Sequence, residues 1–132
     1  MNIQTKIQRV LVVDDDDNIR ELAQMGLEGM TDWKVDISSS GAQALLKASA
    51  EKPDVIILDQ TMPNMDGVQT FQKLKENPLL CKIPVIMMTG KAKPLEIKRF
   101  LEIGFAGVIP KPFDPINLCD DIQNIATAFS VR

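Results

Sequence analysis

Val10-Leu11-Val12-Val13-Asp14-Asp15-Asp16-Asp17 and Val55-Ile56-Ile57-Leu58-Asp59 decide the fold of this chain, because each is an apolar run that stops in acid. Four apolar, mostly β-branched residues between turn formers read as a strand buried on both faces, the kind found in parallel sheets. Two later stretches end the same way at polar groups: Pro84-Val85-Ile86-Met87-Met88 before Thr89-Gly90, and Gly107-Val108-Ile109-Pro110 before Lys111-Pro112-Phe113. Open α/β sheets bind ligands at the carboxyl ends of their strands. In one shared sheet, Asp14, Asp15, Asp59, Thr89 and Lys111 would converge on a single edge.

Outward from these runs, strand and helix patterns alternate along the whole chain. The first strand is expected at about residues 9–13. A helix from about Asn18 would carry Ile19, Leu22, Ala23, Gly26 and Met30 on one face, with Asp17 or Asn18 as N-cap. Residues 33–37 alternate apolar and polar, as a half-exposed edge strand does. A helix over 41–50 would bury Ala42, Leu45 and Ser49, and Pro53 ends it. The third strand leads into a turn-rich loop at 60–66, then a helix with Val68, Phe71 and Leu74 inward. After the fourth strand, a helix over 94–103 shows an irregular stripe of Leu95, Phe100, Leu101 and Ile103, closed by Gly104. The fifth strand contains Pro110, which has no N–H for a ladder, so it belongs at the other edge. A last helix carries Ile122, Ile125, Ala126 and Phe129 at helical spacing. Alternation of this kind requires right-handed crossovers and a parallel sheet. With strands two and five at the edges, the expected fold is α/β, flavodoxin-like (βα)5, with strand order 2-1-3-4-5 and its switch point between strands one and three.

The 132 residues fit one domain, with a core over about residues 8–129 and no output module after it, which reads as a stand-alone unit or as a domain cut from a larger protein, the first being favoured. A 45% hydrophobic share is enough for a core without staples, and 25% charged residues are ordinary for a soluble protein. A net charge of −3 without a basic stripe argues against nucleic-acid binding. No apolar run nears the ~20 residues that span a bilayer, and no leader segment stands at the N-terminus, so a cytoplasmic location is expected. Cys81 and Cys119 match no paired motif and read as small core residues. Histidine and tyrosine are absent, which removes histidine bases, histidine ligands and phosphohistidine from this chain.

Clustered Asp14, Asp15 and Asp59 would repel one another unless a cation joined them. Carboxylates and water suit Mg²⁺, which commonly also takes phosphate oxygens. With a lysine and a threonine alongside, the set points to phosphoryl chemistry in which one Asp is the nucleophile. Lys111 would neutralise developing charge and Thr89 would donate to a phosphoryl oxygen. Asp16 and Asp17 read more simply as a solvated turn and cap. An EF-hand is excluded, since Asp14-x-Asp16-x-Asn18 lacks the required Gly and Glu.

The segments 10–15, 58–67, 88–90 and 111–113 together resemble the response-regulator receiver domain of two-component signalling, over roughly residues 8–129. The resemblance implies that Asp59 accepts a phosphoryl group from a phosphohistidine on a sensor histidine kinase or histidine phosphotransfer protein. It implies Mg²⁺ held by Asp14, Asp15 and Asp59 with the Thr61 backbone carbonyl. Thr89 would be the switch hydroxyl, Lys111 the phosphate partner, and Lys111–Pro112 a cis bond. Such a domain catalyses only its own phosphorylation and dephosphorylation, and signals through a phosphorylation-dependent protein–protein interaction. Val108 departs from the family, which usually carries an aromatic ring there; a short β-branched side chain cannot swing inward as a ring does. Phe105 is an unexpected ring nearby. Thr61 and Lys91 lie two residues past Asp59 and Thr89, positions that flank the path of the hydrolytic water in the family. Lys91 reads as a solvated lysine or as a second phosphate partner. Two other readings stand beside this one. A phosphorylation-independent receiver-like binding module would not need the intact set. An aspartate-nucleophile phosphohydrolase would need a second strand-end acid pair and a substrate cap that the chain lacks.

Overall fold

The computed structural model describes residues 6–131. Its elements run β1 (Arg9–Val13), α1 (Asp17–Met30), β2 (Lys34–Ser38), α2 (Gly41–Glu51), β3 (Val55–Asp59), α3 (Gly67–Glu76), β4 (Val85–Thr89), α4 (Pro94–Ile103), β5 (Gly107–Pro110) and α5 (Leu118–Ser130). The five strands form one parallel sheet in the order β2-β1-β3-β4-β5, the flavodoxin-like order expected from the pattern. β1 and β3 pair from Val10↔Val55 to Val13↔Leu58, so the residues that follow both strands emerge side by side.

Side chains alternate across the sheet with the period of a strand. Val10, Val12, Ile57, Ile86, Met88 and Ile109 face α1 and α5, where Ala23, Leu27, Ile122 and Ala126 complete one core layer. Leu11, Val13, Ile56, Leu58, Val85 and Met87 face the other way, toward Ala44, Ala48, Phe71, Leu74 and Phe100 on α2, α3 and α4. β1, β3 and β4 are central and covered on both faces, which is why they read as unbroken apolar runs. Edge strand β2 keeps Val35 buried but leaves Ile37 exposed.

The helices correct the expected faces in three places. Asp16, not Asp17 or Asn18, caps α1, accepting from the Asn18 and Ile19 amides. The inner stripe of α1 is Ile19, Ala23 and Leu27, while Leu22 and Met30 are exposed. The side of α1 at Gly26 is held close to the segment before α5, for a Cβ there would stand 2.7 Å from the Pro115 carbonyl oxygen. In α2 the buried residues are Gly41, Ala44 and Ala48, and Ala42 and Ser49 face outward. Its first turn abuts α3, where a Cβ on Gly41 would meet the Thr70 hydroxyl at 2.2 Å. Of the stripe on α4 only Phe100 is buried; Leu95, Leu101 and Ile103 are exposed. Phe100 reaches the core by meeting Phe105 edge-on, with centroids 5.8 Å apart, and this one ring anchors the helix. β2 and β4 each begin one residue later than expected; Pro84 contributes only its carbonyl, to the Ile56 amide. Cys119 is buried as expected, but Cys81 is only half-buried.

Candidate functional site

The strand ends bring the acids together. Asp14 follows β1, is fully buried, and still pairs with β2 through its amide, which donates to the Ser38 carbonyl at 3.1 Å. Its Oδ1 accepts from the Asp16 amide at 2.9 Å, closing a tight turn that also presents Asp16 as the α1 cap. The Arg20 guanidinium reaches back one turn and donates to the Asp14 backbone carbonyl at 2.7 Å. Asp15 is exposed at the mouth of the site. Asp59 is the last residue of β3 and is 5% exposed. One carboxylate oxygen from each of Asp14, Asp15 and Asp59 lies within 4.8 Å of the others.

Lys111 joins this cluster from β5. Its ammonium lies 2.8 Å from Asp14 Oδ2 and 2.8 Å from Asp59 Oδ1. Its backbone is set by the hydrogen bond that its amide donates to the Thr89 carbonyl at 2.8 Å and by the cis peptide to Pro112, which agrees with the expectation for that bond. Burial raises the Asp59 carboxyl above its ordinary value; the Lys111 hydrogen bond opposes the rise, and the Asp14 and Asp15 charges add to it. Burial alone would lower the Lys111 ammonium, but its bonds to Asp14 and Asp59 outweigh that and hold it above its ordinary value.

Asp14, Asp15, Asp59 and Lys111 thus meet as the sequence led one to expect, whereas the Thr89 hydroxyl is turned elsewhere. Thr89 ends β4 and is buried. Its Oγ1 donates to Gln60 Oε1 and accepts from the Lys91 amide at 2.9 Å. Thr61 is exposed in the loop two residues after Asp59, and Lys91 is exposed after Gly90. A Cβ on Gly90 would meet nothing within 4 Å, so the approach there is open. Phe105 does not stand in for a ring at position 108. It is fully buried, stacked on Phe71 at 4.1 Å and edge-on to Phe100.

Gln60 and Arg20 are contacts the sequence did not single out. Gln60 had one available signal, its place directly after an acid at a strand end. Arg20 had only its spacing of one helical turn or so past the Asp run.

The donor set fits Mg²⁺: three carboxylates within reach of one another, two of them buried, with a single ammonium against their combined charge. The same geometry, an acid nucleophile beside a cation and an open face, can accept a phosphoryl group.

A family model described as the response regulator receiver domain matches residues 10–123. Among curated relatives, the alkaline phosphatase synthesis transcriptional regulatory protein PhoP of Bacillus subtilis is 37% identical over 108 residues, covering 82% of this chain and 44% of that protein. Response regulator Rre1 of Synechocystis is 32% identical over 116 residues, 88% of this chain and 50% of its own length. The chain therefore spans about half the length of these relatives. Among solved structures, the chemotaxis response regulator CheY4 of Vibrio cholerae aligns with a TM-score of 0.83 at 29% identity, covering 91% of this chain and 99% of that one. A response regulator from Desulfuromonas acetoxidans aligns with a TM-score of 0.80 at 28% identity, covering 89% and 95%.

Proposed function

The chain belongs to the response regulator receiver family of two-component systems, and on that premise we propose that Asp59 takes a phosphoryl group from a phosphohistidine of a sensor histidine kinase or histidine phosphotransfer protein. The observation that carries this reading is the Lys111 ammonium, 2.8 Å from both Asp14 and Asp59 inside a three-carboxylate cluster at the carboxyl edge of the sheet. Asp59 Oδ1 is held by Lys111, which leaves Oδ2 to attack the phosphorus. The P–N bond breaks as the new P–O bond forms, and its electron pair returns to the imidazole nitrogen. Lys111 then shifts its attraction from the carboxylate to the phosphoryl oxygens, and Thr89 turns its hydroxyl toward them. Asp14, Asp15 and Asp59, with the Thr61 carbonyl, would hold a Mg²⁺ whose charge offsets that of the phosphoryl oxygens.

The chain acts as a signalling module and turns over only its own acyl phosphate. Its output is a protein–protein interaction that depends on phosphorylation, and its place is the cytoplasm. Among the described residues no helix is long and apolar enough to cross a membrane.

Intact mass after incubation with acetyl phosphate, with and without Mg²⁺, tests this on the wild type and Asp59→Asn. The expected outcome is a Mg²⁺-dependent gain of one phosphoryl group that Asp59→Asn abolishes. A gain that survives Asp59→Asn would move the acceptor elsewhere, Asp14 first. No gain from acetyl phosphate or from a phosphohistidine donor would favour the phosphorylation-independent binding module.

A further inference from the structure

The hydroxyl expected to meet the phosphoryl group is already engaged. The Lys91 amide donates to Thr89 Oγ1 at 2.9 Å, and the Thr89 hydroxyl in turn donates its one proton to Gln60 Oε1. Gln60 does not reach Thr89 by chance. Its amide donates to the Met88 carbonyl of β4 at 3.0 Å, and its carbonyl accepts from the Gly67 amide of α3 at 2.9 Å. A Cβ on Gly67 would stand 2.5 Å from the Asp59 carbonyl oxygen and 3.0 Å from Gln60 Cα, so only glycine lets α3 close on this segment. The Gln60 backbone is thereby clamped between β4 and α3, and its side chain is held beside the end of β4.

Resting on the proposed role of Asp59, we propose that the Gln60 side chain is a positioning residue for phosphoryl transfer: it latches the Thr89 hydroxyl in its resting orientation, and the phosphoryl oxygens must displace it. A proton donated to Gln60 cannot also be donated to a phosphoryl group, so the two states of Thr89 exclude each other. The competent orientation is populated only to the extent that the latch opens, and uptake from a small donor is reduced by that fraction. A short unbranched amide can hold this role where Val108 has no ring to couple to the threonine. The latch is local and needs no rearrangement of the sheet.

The test uses Gln60→Met, close in shape but without a strong acceptor, alone and combined with Thr89→Val. Phosphorylation by acetyl phosphate with Mg²⁺ is followed by intact mass. Gln60→Met is expected to speed uptake by about fivefold, the ratio that corresponds to one ordinary net hydrogen bond. In the Thr89→Val background the same change is expected to have no effect, because the hydroxyl it acts through is gone. Equal rates for wild type and Gln60→Met, or the same gain in both backgrounds, would overturn the latch. Hydrogen exchange of the Lys91 amide in the unphosphorylated protein gives a readout that needs no donor. Exchange should be faster in Gln60→Met, since the freed hydroxyl turns away from that amide. Unchanged exchange would overturn the latch even if Asp59 proves to be the acceptor. A wild type that takes up no phosphoryl group would instead count against the role of Asp59 and leave the exchange result to decide the latch.

Discussion

Asp59 is held in a form that opposes the fold. Its carboxyl lies above the ordinary value of 3.8 chiefly because burial penalises its charge, with Asp14 and Asp15 adding to the penalty beyond what Lys111 relieves. A folded-state value raised in this way means that the contribution of Asp59 to stability is fully present below its ordinary value and is lost as pH rises through the raised one. In metal-free buffer at neutral pH, Asp59→Asn should therefore be more stable than the wild type, read as a rise in thermal midpoint. The advantage should shrink as pH falls toward the ordinary carboxylate range, because the wild type then becomes neutral there as well. Thermal scans of both proteins in chelator across that range check the sign, and a less stable Asp59→Asn at neutral pH would contradict it. The identity of Asp59, Asp14, Asp15 and Lys111 as a set was legible from their places at strand ends. The direction of the Thr89 hydroxyl was not, because its acceptor lies 29 residues away on another strand end.

At the scale of the element, the helices show how far periodicity reaches. It located α1 and α4 and turned Ile19, Ala23 and Phe100 inward as the structure has them, but it also turned Leu22, Met30, Leu95, Leu101 and Ile103 inward, since an apolar residue every three or four positions fits more than one rotation of a helix. Leu27, buried on α1, and Leu22, 42% exposed on the same helix, make the difference measurable. Leu27→Ala should cost about 3 kcal/mol in urea unfolding, whereas Leu22→Ala should stay within about 0.5 kcal/mol of the wild type. A larger loss for Leu22→Ala than for Leu27→Ala would mean that α1 is turned as the sequence pattern alone implied. On β5, Val108 is half-buried and packs against the layer shared with α2, α3 and α4. Phe105 is committed to its rings with Phe71 and Phe100 and cannot serve as the moving aromatic. The shift of Thr89 should therefore propagate weakly to α4 and α5. Val108→Tyr should enlarge the change in α4 amide chemical shifts on phosphorylation, and an unchanged response would remove the support for this account of position 108.

Over the whole molecule, three carboxylates face one ammonium, and a divalent cation should relieve the excess charge. Mg²⁺ should raise the unfolding free energy by about 1.4 kcal/mol at a concentration about ten times its dissociation constant. Asp14→Asn should lose most of that gain, as thermal midpoints with Mg²⁺ and with chelator would show, and an equal gain in the variant would place the cation elsewhere. The sequence by itself determined the doubly wound class, the two edge strands, the strand order and the acids and lysine that meet past the strand ends. Those depend on local properties: unbroken apolar runs for strands covered on both faces, a proline that cannot donate in β5, and the chemistry of the residue at each strand end. Only the tertiary structure decided which stripe of each helix is buried, since that follows from what the opposing layer offers, such as the close approach of Pro115 to α1 at Gly26. It also decided that Lys111 spans Asp14 and Asp59 and that Gln60 holds Thr89, contacts between residues 52 and 29 positions apart for the Lys111–Asp59 and Gln60–Thr89 pairs. Such contacts come from parallel strands meeting through long crossovers, a juxtaposition that no local pattern in the chain records.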